Sequence, residues 1–173
     1  MINKVLFYIA AVGWLCALYI NLYALQGVDL SAKYYTVWLL HAGVFFVWIP
    51  AVLELRKNEE WKQLRSNSRS NAIRPFGFYR ILLKGVPAWL TMLFYGCLIY
   101  TFCSFIYFNF NLSGFINTRH QVSEITARQK DVNTISLFSA VWLFFYCTAA
   151  TILYPYKDIP LDGNTDNYNF DKK

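Results

Sequence analysis

Residues 5–27 read VLFYIAAVGWLCALYINLYALQG, with no Asp, Glu, Lys or Arg among them. A helix crosses a hydrocarbon core about 30 Å thick with roughly 20 apolar residues, so this stretch alone is long enough to span a bilayer. Working outward, charge is missing again from residues 34–53, 85–118 and 132–156. The four runs predict spanning helices at about 5–25, 34–53, 86–108 and 135–154. Four soluble core helices would need a polar covering that this chain does not have. It is 57% hydrophobic and 15% charged, whereas soluble domains run at roughly 45–50% and about 25%. Lys4 precedes the first run, but that run exceeds the roughly 7–15 apolar residues of a secretory signal and no small-residue cleavage site follows, so it reads as an uncleaved anchor.

Orientation follows from Lys and Arg. Residues 54–85 hold Arg56, Lys57, Lys62, Arg65, Arg69, Arg74, Arg80 and Lys84 against Glu54, Glu59 and Glu60, a net +5 of the chain's +6. The first connection offers Lys33, and the third Arg119, Arg128 and Lys130. The positive-inside rule makes the middle segment cytosolic, and four spans then bring both termini to the same side. The expected location is the plasma membrane, the inner membrane of a bacterium. Aromatic residues at the span ends fit interfacial belts: Tyr19, Tyr23, Tyr34, Tyr35 and Trp38 outside, Trp89, Tyr154 and Tyr156 inside.

The expected fold is all-α: one domain of four transmembrane helices, arranged as two antiparallel hairpins joined by the basic cytosolic segment 54–85. The short first connection, 26–33, places spans one and two side by side. Past span two, residues 54–64 continue as a helix with Leu55, Trp61 and Leu64 on one stripe. Phe76, Phe78, Tyr79 and residues 81–83, mixed with Arg80 and Lys84, form an amphipathic piece before Pro87 opens span three. The third connection, 109–134, carries a short helix near 121–130, and the tail 155–173 is loosely ordered.

Small residues mark packing faces. Ala10, Gly13, Ala17, Asn21 and Ala24 form one stripe on span one, and Ser136, Ser139, Ala140, Cys147 and Thr151 another on span four. Such stripes let backbones approach in lipid, where burial alone gives helices no reason to associate. Gly13, Ala17 and Ala140 are the expected contact points.

Chemistry is sparse. His41 is the one ionisable residue of the Asp, Glu, Lys, Arg and His set inside a predicted span, and intramembrane enzymes or proton-coupled carriers usually need several. Cys16, Cys97, Cys103 and Cys147 lie in apolar runs without CxxC or metal spacing, which removes a thiol-oxidase site and predicts no metal and no cofactor. We therefore expect no enzyme. His41 and Asn21 fall at similar depth in the first hairpin, either as a hydrogen-bonded pair that sets register or as gate positions. Pro50 kinks span two. Arg65, Arg69 and Arg74, in a Ser/Asn-rich stretch and supported by Arg56 and Lys62, are the residue types that hold phosphates. No Walker or Rossmann glycine pattern accompanies them.

These features predict a homo-oligomeric pore in the lipid bilayer. Asn21, His41, Ser136, Ser139 and Thr151 would line or gate it, and an anionic, nucleotide-like ligand or partner on the basic segment would open it. The alternative is a non-conducting partner of another membrane protein, such as an immunity or assembly factor.

Overall fold

A computed structural model describes residues 2–57, 62, 79, 82–117 and 124–154, leaving out the side chains of 111–128. Every described element is helical: α1 (Ile2–Leu25), the one-turn α2 (Leu30–Lys33), a 3₁₀ turn (Tyr35–Trp38), α3 (Leu39–Lys57), α4 (Ala88–Asn117) and α5 (Glu124–Ile152). Four of these helices, the second counted with its 3₁₀ turn, are long and apolar enough to cross a membrane. Lipid offers the backbone no hydrogen-bond partner, so a helix that satisfies its own N–H and C=O groups is the form these runs can take there.

The helix ends follow local chemistry. After Leu25 the chain reverses through Gly27 at φ +80°, where the Val28 N–H reaches the Tyr23 carbonyl (3.0 Å) and the Gly27 N–H the Ala24 carbonyl (2.9 Å). This pairing closes a helix C-terminus on a left-handed glycine. Asp29 then caps α2, its Oδ1 accepting from the Ser31 N–H (2.8 Å), the Ser31 hydroxyl (2.6 Å) and the Ala32 N–H (3.3 Å). Pro87 stands directly before α4, whose first turn accepts no donor from that position anyway. The chain stays helical through Pro50.

Two helices run further than expected. The third reaches Asn117 instead of ending near 108, and the fourth begins at Glu124, absorbing most of the predicted third connection and its short helix. Nothing in 124–152 stops a helix: the stretch has neither Gly nor Pro. The Gln129–Asn133 amide pair (3.1 Å) and the Thr134 hydroxyl on the Lys130 carbonyl (2.8 Å) are satisfied along the helix. Helix α3 continues past Leu53 to Lys57, as expected for the start of 54–64, and there Lys57 pairs with Glu54 at 2.9 Å.

Helix α5 is the hub, packing against α1, α3 and α4. Cross-helix contacts fix the directions. Phe7 meets Tyr154 and Asn21 meets Ser139, so α1 and α5 are antiparallel. Trp38 lies against Phe138 and Trp48 against Phe145, so α3 runs with α5. Thr101 reaches Ala140 while Phe94 touches Phe144, so α4 opposes α5. The start of α1 and the end of α5 therefore lie at the same end of the bundle.

Candidate functional site

The small-residue stripes of α1 and α5 face each other within one chain. Ala10, Ala17 and Ala140 are fully buried, as are Ser139 and Thr151. Beside them Tyr146, 2% exposed, lays its ring on Gly13, passes over Gly43 and donates its hydroxyl to the Leu40 carbonyl at 2.8 Å. A Cβ at either glycine would overlap Tyr146. One phenol thus ties α1, α3 and α5 together, and its space exists because two helices carry glycine opposite it.

At the other end of the stripe, Asn21 is 2% exposed and makes three hydrogen bonds. Its Nδ2 donates to Ser139 Oγ (2.9 Å) and to the Ser136 carbonyl (3.2 Å), and its Oδ1 accepts from the Tyr100 hydroxyl (2.6 Å). Ser139 in turn donates to the Ser136 carbonyl (2.9 Å). A buried amide has four hydrogen-bonding positions, and here three of them join α1, α4 and α5. Tyr100 gave no signal in the sequence beyond being a tyrosine at membrane depth, where a hydroxyl needs a partner.

The structure keeps His41 and Asn21 apart. His41 is exposed at the α3 surface, and its Nδ1 accepts from Trp142 Nε1 at 3.2 Å, which puts the imidazole proton on Nε2. Its ring neighbours are Phe45, Phe138 and Trp142. Register between α3 and α5 comes instead from three aromatic donors: Trp142 to His41, Tyr146 to Leu40, and Trp48 Nε1 to the Phe145 carbonyl (3.1 Å). Sequence reasoning missed these donors; a span holding both Trp and Tyr in its centre was the available sign.

Two further hydroxyls of α5 turn back onto their own helix, Thr151 to the Thr148 carbonyl and Thr148 to the Phe144 carbonyl, each at 2.7 Å. Among the described residues every buried side-chain nitrogen and oxygen has a partner. Of the predicted phosphate-binding cluster, Arg56 and Lys62 are described and exposed, while Arg65, Arg69 and Arg74 lie outside the described residues, as do Phe76, Phe78, Arg80 and Ile81 of the amphipathic piece and the tail after Tyr154. No group of His, Cys, Asp and Glu among the described residues has metal-binding geometry.

The chain matches no known protein-family model, no curated protein and no solved structure. Among the described residues four helices have the length and composition to cross a membrane, as in an integral membrane protein.

Proposed function

We propose that this protein is a non-conducting membrane partner: a closed four-helix bundle that acts through what it presents at the cytosolic surface. Its frame is two antiparallel hairpins joined by segment 54–85, which lies in the cytosol with both termini, and its location is the plasma membrane. The basic segment, with Arg65, Arg69 and Arg74 at its centre, meets an anionic ligand or the acidic face of another membrane protein. It does so in the manner of an assembly or immunity factor. No reaction is assigned to it.

The observation that carries this reading is the mutual burial of the two small-residue stripes. Asn21, Ser139 and Thr151 would have to line water in a pore, but in the bundle their hydrogen bonds are already made inside one chain. Opening such a pathway would separate α1 from α5, empty the space around Tyr146 and break the Asn21 junction. The outward faces are bulky and apolar, with Phe46, Ile49, Met92, Ile99 and Phe102 each at least 60% exposed. That is a surface for acyl chains and not for a hydrated lumen.

Reconstitution tests it. The purified chain in lipid vesicles should pass ions no faster than protein-free vesicles, with or without a polyanion added on the side of the basic segment. A polyanion-dependent flux well above that background, carried by oligomers, would reverse the choice in favour of a gated pore.

A further inference from the structure

A trough of about 420 Å³ runs along the outside of the bundle between α3 and α5. Trp48 and Trp142 form part of its wall, and their indole N–H groups are spent on the Phe145 carbonyl and on His41. Its other walls are apolar, among them Phe45, Ile49 and Leu53 from α3 and Val141 from α5. Between His41 at one end and Arg56 at the other, a ligand lying there meets hydrocarbon and filled hydrogen-bonding groups. Arg56 lines the trough at the end of α3. The carboxylate on the same turn, Glu54, is bound to Lys57 at 2.9 Å, and Arg56 has no ion pair among the described residues.

We infer that this trough holds one acyl chain of an anionic phospholipid, with the lipid phosphate on the Arg56 guanidinium. Length supports it. From Arg56 to Phe45 the helix rises about 16 Å, close to one leaflet's half of a core about 30 Å thick. A chain anchored at Arg56 therefore ends near Phe45, short of His41. Width separates a lipid from a partner helix. Spread over the roughly 22 Å between His41 and Arg56, the volume open to the centre of a water molecule, widened by the water's own radius, gives a trough about 8 Å across, narrower than the about 10–12 Å of a helix with its side chains. Charge supplies the headgroup preference, because guanidinium and phosphate form short, forked hydrogen bonds that a zwitterionic headgroup competes for with its own cation. The site lies in the inner leaflet, and this assignment of leaflet alone rests on the cytosolic placement of segment 54–85 proposed above.

The test is native mass spectrometry of the whole chain released from detergent, with phosphatidylglycerol and phosphatidylcholine of identical acyl chains offered in competition. The wild type should retain one phosphatidylglycerol per chain, about ten-fold over phosphatidylcholine, the scale of one charge-assisted contact. Arg56→Gln should erase that preference. Ile49→Trp, which fills the trough, should lose both lipids. Lys57→Gln, already engaged by Glu54, should behave as wild type, and inorganic phosphate at the same concentration should not bind. Equal retention of both lipids by the wild type would overturn the site, as would an unchanged preference in Arg56→Gln. A protein that conducts ions yet keeps the preference would refute the proposed function and leave this site standing.

Discussion

Helices α5 and α4 are both long and apolar, yet 67% of the spanning window of α5 is buried and only 17% of that of α4. Hydrophobicity does not separate them. Residue size does: α5 offers Ser139, Ala140, Ala149, Ala150 and Thr151, which let neighbouring backbones come close, while the outer side of α4 carries Trp89, Met92, Phe102 and Phe105. In a membrane the solvent is as apolar as the side chains, so a helix becomes central by shape and hydrogen bonding. The large buried side chains of α5, Trp142 and Tyr146, are central because their polar tips reach α3.

The comparison breaks most sharply at two glycines. Gly13 of α1 is pressed by Tyr146, whereas Gly96 of α4 has nothing within 4 Å of a Cβ. Gly13→Leu should destabilise the bundle by about 1–3 kcal/mol or more, the cost of overpacking. Gly96→Leu should be neutral or slightly stabilising, since glycine weakens a helix by about 1 kcal/mol relative to alanine. Unfolding in mixed detergent micelles reads both, and equal effects would remove the distinction between the two helices.

A smaller difference is expected between two asparagines. Asn21→Leu strands the Tyr100 hydroxyl and part of the Ser139 network, about 1–2 kcal/mol. Asn109 is exposed and donates to the Phe105 carbonyl of its own helix at 2.8 Å, so Asn109→Leu should stay within about 0.5 kcal/mol. The same unfolding assay applies. Smallest of all is Thr101→Val, which removes one hydroxyl bond of 2.8 Å to the Ala140 carbonyl and keeps the shape. It should cost about 0.6 kcal/mol, the typical worth of a hydrogen bond between membrane helices.

The four helices long and apolar enough to span were legible in the uncharged runs, because length and apolarity alone decide whether a segment can cross a bilayer. The small-residue stripes were legible too, as positions where helices approach. Which stripe meets which was not, since Gly13 and Ala17 have the same periodicity whether they face another chain or α5. The extension of α5 back to Glu124 was hidden because charged residues such as Lys130 and Asp131 end a span without ending a helix. His41 drew attention as an intramembrane ionisable group, but its partner, Trp142, sits about a hundred residues away, and no local pattern joins them. Residues 65–74 lie outside the described residues and keep their interest as a charge cluster in the sequence.

The central claim is that the α1 and α5 stripes close on each other inside one chain, and a split-chain crosslink tests it most directly. Cys16, Cys97, Cys103 and Cys147 are first replaced, and cysteines are then introduced by Asn21→Cys and Ser139→Cys, positions whose side chains now touch at 2.9 Å. With both substitutions in one chain, a short thiol crosslinker in nanodiscs or vesicles should join them without raising the mass above that of a single chain. With the two substitutions on separate chains reconstituted together, no crosslinked dimer should form. A strong dimer band from the separated pair would show that the stripes meet between copies, and would contradict the closed bundle.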